Sequence, residues 1–290
     1  MLIISEYNKR FKKSAGVEYL KKMEESAKLL GIEVLSFEQG NPHSLEEIIR
    51  RKGNLKENST VYWIGFVPAY EDYVTTYEIL KKHKLNLVNT PDEFAKSEYF
   101  DRFYEVIKED SFKSGIANNL EEAKQIASEL KYPLFMKGTI QSLKKFGWEN
   151  CIAHNEEEVE NIFNKLKKET TYSLGKIILR EYVELRYKEL GGNGIPKAHE
   201  YRFMLLNNQI VGYSYYWNGE NPFQLESTIL AKICRQAINI SKKLAVPYIS
   251  LDIAETSQGD WKVIEVGDGQ FSDIRNLSPF KLWNFIVENK

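Results

Sequence analysis

The stretch SLDIAETSQGDWKVIEVGDGQFSD, residues 250–273, constrains the fold more than any other part of the chain. Two short apolar runs, SLDIA and WKVIEV, flank a polar turn containing Gly259. Alternating side chains on either side of such a turn predict an antiparallel hairpin. With Gln258 and Gly259 at the tip, Asp252 lies directly across from Glu265. Leu251, Ile253, Ile264 and Val266 share one face, and the two acids share the other. Like charges opposite each other on one sheet face destabilise the pairing, and burying them costs more still. Three arrangements would relieve the conflict: acids on a solvated face, acids paired with Arg or Lys, or acids ligating a hard divalent cation such as Mg²⁺. Asp268, in the GDGQ that follows, is a further carboxylate between glycines that allow close backbone approach.

The rest of the chain narrows the classes open to it. A hydrophobic share of 42% and a charged share of 28% are those of an ordinary globular protein, and 290 residues can bury a substantial core. A formal net charge of −1 supplies no global field for nucleic acid or an anionic membrane, so neither partner is expected. No stretch approaches the ~18 apolar residues of a membrane helix. MLIISEY lacks the basic n-region and long apolar run of a secretory signal. Cys151 and Cys234 are far apart and lack metal-ligand spacing, which predicts two reduced thiols. A cytoplasmic location is the resulting expectation.

Strand-like and helix-like runs alternate over the first 90 residues: MLIIS, helix 16–30, IEVLSF, helix 44–52, TVYWIGF, helix 70–83 and LNLVNT. That alternation predicts βαβ units and a parallel sheet. Thr90 and Pro91 form a helix-start signal, and a domain boundary is expected near residue 90. From 91 to 175 the order becomes helix, strand-like DSFKSGIAN, helix 119–131, YPLFMKG, a loop, NCIAHN and helix 155–168. From 176 to 290 strands dominate (KIILREYVEL, HEYRFMLL, QIVGYSYYW), with helix 226–245 leading into the hairpin. The expected architecture is an α/β domain over 1–90 followed by an α+β body over 91–290.

The other residues with chemical potential are cations. In YPLFMKGTIQSLKKFGW an apolar strand ends at Lys137, and the loop after it carries Lys144, Lys145 and Gly147. An inward lysine at a strand end is a point charge suited to phosphate, whereas most lysines reach for solvent. Glu200 and Arg202 lie two apart on a strand and so on one face, where Arg202 can clamp an anion or pair with Glu200. The chain contains no GxxxxGK[ST], no GxGxxG after a strand, no HExxH and no GxSxG. P-loop, dinucleotide, metalloprotease and serine-nucleophile readings are therefore unsupported.

The order of these segments resembles the ATP-grasp superfamily across nearly the whole chain: FDRF, YPLFMKG, the Lys/Gly loop, ILREYVEL, EYRFMLLNNQIVGYSYYW and LDIAETSQGDWKVIEVGDGQ. EYRF…NNQIVGYS and the final segment look most like the divergent clade containing the eukaryotic cell-division-cycle protein that assembles a translation initiation factor. The resemblance implies an ATP-grasp fold with an N-terminal pre-ATP-grasp α/β domain (1–90), a lysine-bearing first subdomain (91–175) and a second subdomain with hinge strand and metal site (176–290). It also implies ATP and Mg²⁺ as cofactors. Arg102 stands where many members have a phosphate-binding lysine, Lys137 matches the second such lysine, and Lys144 or Lys145 lies in the loop that closes over the triphosphate. Glu181, Tyr182 and Val183 match the hinge strand whose backbone meets the adenine edge, and Glu184 or Glu200 would take the ribose hydroxyls. Arg202, with Lys137, would act on the transferred phosphate, and Asp252 and Glu265 would hold Mg²⁺. One departure is visible: the usual asparagine two residues after the second acid is Gly267 here. Asp268 is the candidate substitute, and loss of one of two metal sites is the alternative. The implied activity is an ATP-dependent carboxylate–amine ligase acting through an acyl phosphate on a small molecule, peptide or protein. The alternative is a nucleotide-gated assembly factor without productive turnover.

Overall fold

A computed structural model describes residues 1–8 and 14–289. The first elements are β1 (Leu2–Tyr7), α1 (Ala15–Leu29), β2 (Glu33–Glu38), α2 (Pro42–Lys52), β3 (Thr60–Ile64), α3 (Tyr70–Lys82) and β4 (Asn86–Leu87). They form the expected parallel sheet, in the order β2-β1-β3-β4. The inner strands are apolar in near-continuous runs because both faces are covered. One face packs Leu45, Tyr73, Leu80 and Phe94. The other packs Leu20, Met23 and Ala27 together with Leu282 and Trp283 from the far end of the chain.

Next come α4 (Pro91–Glu98), α5 (Phe100–Ile107), β5 (Ser114–Ala117), α6 (Leu120–Leu130), β6 (Leu134–Gly138), β7 (Ile152–Ala153), α7 (Glu156–Lys168), α8 (Thr170–Ser173) and β8 (Ile177–Glu181). The strands make an antiparallel sheet in the order β5-β8-β6-β7. Thr90 and Glu93 close a reciprocal capping box at the start of α4, with Pro91 in its first turn. The helical run does not continue to residue 107 unbroken. Tyr99 is extended, and the Phe100 N–H donates to the Thr139 carbonyl at 3.1 Å, so a second helix starts there.

The remainder is β9 (Tyr187–Leu190), β10 (Pro196–Ala198), β11 (Glu200–Leu206), β12 (Gln209–Tyr215), α9 (Ser227–Leu244), β13 (Tyr248–Glu255), β14 (Trp261–Asp268) and α10 (Pro279–Glu288). Here the sheet is antiparallel in the order β12-β11-β13-β14. The largest apolar cluster lies beneath it, where α5 and α9 bury Phe103, Ile233, Ala237 and Ile240 against Phe203, Leu251 and Ile253. The hairpin β9–β10 and helix α10 are elements the sequence patterns did not single out. Among the described residues no helix is long and apolar enough to cross a membrane, and both cysteines are free thiols, Cys151 buried and Cys234 half-buried.

The hairpin β13–β14 forms in the expected register at its inner end, with Asp252 opposite Glu265 and Leu251 opposite Val266. One step further Ile253 faces Val263 rather than Ile264, because a β-bulge adds a residue to β14. The expectation that Ile264 shares the core face with Leu251 and Ile253 is thereby corrected. Fully buried Val263 fills that position, and Ile264 turns to line a cavity.

The junction after Lys137 is equally tight. A Cβ on Gly138 would lie 2.6 Å from the Tyr172 carbonyl carbon and 2.7 Å from the Ser173 Cα, both backbone atoms that cannot rotate aside. Gly138→Ala is expected to cost about 1–3 kcal/mol by overpacking, read as a lower denaturation midpoint at unchanged m-value. An unchanged midpoint would show that α8 yields freely.

Candidate functional site

A cavity of about 480 Å³ is walled by residues of both antiparallel sheets, within the size range of small-molecule sites. Arg202, Asp252 and Glu265 are direct neighbours across β11, β13 and β14. The conflict between the facing acids is relieved by a cation on each side. Arg202 holds Asp252 in a two-pronged pair, Nε to Oδ1 and Nη2 to Oδ2, both at 2.7 Å. From the other sheet, Lys137 Nζ donates to Glu265 Oε1 at 2.6 Å. Arg202, Asp252 and Lys137 are all buried, so the solvated-face arrangement is ruled out.

Burial raises a carboxyl's pKa and lowers an ammonium's, and here the outcome depends on the partner. Burial would lift Glu265, but the Lys137 ammonium overrides it and holds the carboxyl at about 2. Lys137 itself is lowered, by burial first. Arg202 loses to burial but gains more from Asp252, and ends above its ordinary value. Glu200, buried beside Asp252, has no such partner, and burial followed by that neighbouring charge pushes it up to about 8. Glu98, at the end of α4, is raised to about 8 by burial and then by Asp268. At neutral pH Glu98 and Glu200 are therefore mostly protonated. Lys137, Lys144, Lys145, Arg180, Arg202 and Arg275 then face Glu181, Glu184, Glu265, Asp273 and Asp252, a small excess of positive charge that is compatible with an anionic ligand.

The structure brings most of the sequence-derived residues together. Lys137, Lys144, Lys145, Glu181, Tyr182, Val183, Glu184, Glu200, Arg202 and Glu265 line the cavity, and Asp252 lies directly beneath Arg202. Lys144 rests over Phe135 and Trp148, and Lys145 over Phe146 and Tyr172, with ring-centroid distances of 4.5–5.7 Å. Both lysines thus lie along the rim, held over aromatic faces.

Two residues are placed elsewhere. Arg102 lines a neighbouring recess with Tyr99, Asp92 and Lys96, which shares only Val67, Ile140, Gln141 and Tyr172 with the main cavity. Asp268 points to the opposite face of β14 from Glu265, as strand alternation requires three residues on. It is buried there and accepts from Asn89 Nδ2 and the Gln270 N–H, each at 2.8 Å. Burial lifts it to about 7. Asp268 therefore does not stand in for the missing asparagine. At Gly267 a Cβ would come within 2.9 Å of the Ser250 and Ser272 hydroxyls, which bond to each other at 2.6 Å. The serine pair occupies the space an asparagine side chain would need.

Several cavity residues escaped the sequence reading: Glu98, Arg180, Ser250, Ser272, Tyr216 and Arg275. Arg180 carried a usable signal, as a cation directly following the apolar run IIL on a strand. At the far end Tyr216 is sandwiched between guanidiniums, Arg275 at 3.9 Å and Arg202 at 5.0 Å from its ring centre.

Two outcomes follow from the buried charges. Glu265→Gln leaves buried Lys137 without its ion pair, and is expected to cost about 1–3 kcal/mol, less than a fully buried pair because Glu265 is half-exposed. Adding Lys137→Met should restore most of that loss, and a denaturant double-mutant cycle with no coupling would refute the pair. Glu98 and Glu200 have folded pKa values above their unfolded ones, so the folded state holds more protons and stability falls as pH rises toward about 8. The thermal midpoint should drop as pH rises from about 4.5 to about 8 and level off above that, and Glu98→Gln with Glu200→Gln should flatten that slope. A flat wild-type profile would show that these acids ionise freely.

Residues 65–286 match a family described as an ATP-grasp domain, the third family of its clade, while no curated protein matches in sequence. Solved structures share the fold at low identity. The D-alanine–D-alanine ligase of Bacillus anthracis complexed with ATP is 11% identical, with a TM-score of 0.67 over 99% of this chain and 96% of that one. The VanG D-Ala:D-Ser ligase of Enterococcus faecalis is 12% identical, with a TM-score of 0.66 over 99% and 98%. A RimK domain ATP-grasp protein of Sphaerobacter thermophilus is 11% identical, with a TM-score of 0.59 over 98% and 99%. With the family match spanning most of its length and the fold shared end to end, the chain belongs to the ATP-grasp superfamily.

Proposed function

We propose that the chain is an ATP-dependent ligase that activates a carboxylate as an acyl phosphate for attack by an amine or similar nucleophile. The observation that carries the reading is the convergence of Arg202–Asp252 and Lys137–Glu265 in one cavity that also contains residues 181–184 and the lysine loop. In such a reaction a substrate carboxylate oxygen bonds to the γ-phosphorus as the bond to the ADP oxygen breaks. The nucleophile then attacks the acyl carbon, phosphate leaves, and the nucleophile's proton passes to a base. Phosphoryl transfer of this kind needs positioning and charge neutralisation rather than a nucleophilic side chain.

Lys137 and the rim lysines supply positive charge for the phosphates. Arg202, fixed by Asp252 and by an Nη1 bond of 2.9 Å to the Asp273 carbonyl, presents a rigid planar cation. Glu184 or Glu200 would take the ribose hydroxyls, and residues 181–183 would offer backbone to the base. Glu265 and Asp252 are oxygen donors of the type magnesium takes. Among the described residues they do not belong to a cluster of three or more potential ligands. That fits an ion held by one or two carboxylates plus phosphate oxygens rather than by a protein cage. Such an ion would neutralise charge on the phosphates.

A second reading is favoured by one feature, the Ser250–Ser272 pair filling the space above Gly267. With one metal ligand fewer, nucleotide would fix the shape of a docking surface for a protein partner, as the eukaryotic resemblance suggests, without productive turnover.

ATP with Mg²⁺ at about 100 times its dissociation constant is expected to add about 2.7 kcal/mol of stability, read as a thermal midpoint several degrees higher. Lys137→Met should abolish the rise. With carboxylates and hydroxylamine present, the ligase reading predicts ADP release matched by hydroxamate. A midpoint unmoved by any nucleotide would sink both readings, and nucleotide binding with metal-independent affinity and no trapped hydroxamate would favour the second.

A further inference from the structure

Arg180 is a buried cation of the cavity whose chemistry the proposed reaction leaves unused. It lies on β8, 6% exposed, on the same sheet face as Phe135, Lys137 and Ile178. Its Nη1 donates to the Ile264 carbonyl at 3.1 Å, the oxygen turned toward it by the bulge in β14. Its guanidinium also rests over Phe100 and Phe112, 5.3 and 5.9 Å from the ring centres. Nε and Nη2 are buried and bond to nothing, and among the described residues no carboxylate lies within ion-pair distance. The contrast with Arg202 is direct, because the same Nε–Nη2 edge there grips Asp252.

A buried guanidinium with an idle two-donor edge is costly to the empty protein. The edge matches two oxygens of one phosphate or carboxylate group, bound side-on. Its position selects among the anions of a nucleotide. Arg180 pairs with Phe135 across the sheet, whereas Lys137 pairs with Ile178. Arg180 is therefore two positions nearer residues 181–183, the segment assigned to the base, than the lysine assigned to the phosphates.

We infer that Arg180 is a nucleotide-binding residue, taking the phosphate nearest the base through its Nε–Nη2 edge; this rests on the nucleotide reading above. The anion completes a donor set that the protein leaves open. Unlike Lys137 and Arg202, Arg180 gives up no ion pair to bind it.

The test is calorimetric titration of AMP and adenosine into wild-type protein, Arg180→Met and Arg180→Lys, with the ligand-free thermal midpoint of each. Arg180→Met should weaken AMP about 10- to 100-fold, the worth of a charge-assisted pair, and leave adenosine unchanged. Its ligand-free midpoint should hold or rise, since an unpaired buried charge is removed. Arg180→Lys, which keeps the charge but not the fork, should fall between. Equal losses for AMP and adenosine, an unaltered AMP affinity, or a ligand-free midpoint several degrees lower would each overturn the inference. Wild-type protein that binds neither AMP nor ATP would overturn the nucleotide reading itself, a result distinct from binding that ignores Arg180.

Discussion

Arg202, Asp252, Glu265 and Lys137 form a line of charges, cation–acid–acid–cation, and the site depends on that order. The first three are register partners across β11, β13 and β14, and the fourth reaches over from β6. Two carboxylates side by side would repel. Each is paired with the cation on its outer side, and the line as a whole is neutral. A one-residue slip in β13 would turn Asp252 into the apolar cluster under the sheet and Leu251 into the cavity. The hydrophobic pattern that buries Leu251, Ile253 and Val266 therefore also sets the charge alignment. Lys137–Glu265 is in turn a link between the two antiparallel sheets, so the electrostatics of the site and the spacing of its walls are one constraint.

The bulge between Asp252 and Ile253 adds a second link. On its inner side, β13 and β14 alternate so that Asp252 and Glu265 lie on the cavity side. After it, Val263 returns to the core and Ile264 is left as the additional residue. The Ile264 carbonyl, freed from the ladder, accepts from Arg180. Bulges re-aim backbone groups beside sites, and this one turns a strand oxygen toward a cation that would otherwise have no partner at all. On either side of Ile264, then, Glu265 and the Ile264 carbonyl tie β14 to β6 and β8.

What was legible in the sequence divides along the same physics. The parallel sheet and the succession of strands along the chain could be read because each rests on local periodicity and the cost of misplacing an apolar face, whereas the inward Lys137 followed from the resemblance, since a lysine at a strand end is equally free to reach for solvent. The pairing of Asp252 with Glu265 could be read from alternation, although near the tip Glu255 faces Trp261, one step off the expected register, and the bulge brings the acids back into line. The bulge could not, since one additional residue leaves the hydrophobic pattern WKVIEV unchanged and shows only in which apolar residue is buried. Asp268 was misplaced for a related reason: beyond the strand's last apolar residue, resemblance to an acid-rich motif outweighed parity, and parity won. Glu98 looks like any acid on an amphipathic helix. Its burial comes from β14 and Lys137, segments far away in sequence. Arg102, expected among the phosphate ligands, faces a different recess because Tyr99 breaks the helix and redirects the turn that carries it.

The free protein and a nucleotide-bound one compete for the same cations. On the reading proposed, an anion approaching Lys137 or Arg202 meets a side chain already engaged at 2.6–2.7 Å by a carboxylate. Binding there must be shared with that carboxylate, and positive charge brought in alongside the phosphates would ease the sharing by compensating Asp252 and Glu265. Protonated Glu98 and Glu200 avoid adding further repulsion at neutral pH, which is the physical sense in neither of them having a cation as partner. Arg180 stands outside this exchange. Its charge is uncompensated before anything binds, so it offers an anion a full interaction without breaking an existing one. Of the buried cations in the cavity, it is the one whose contribution to binding does not depend on displacing an ion pair.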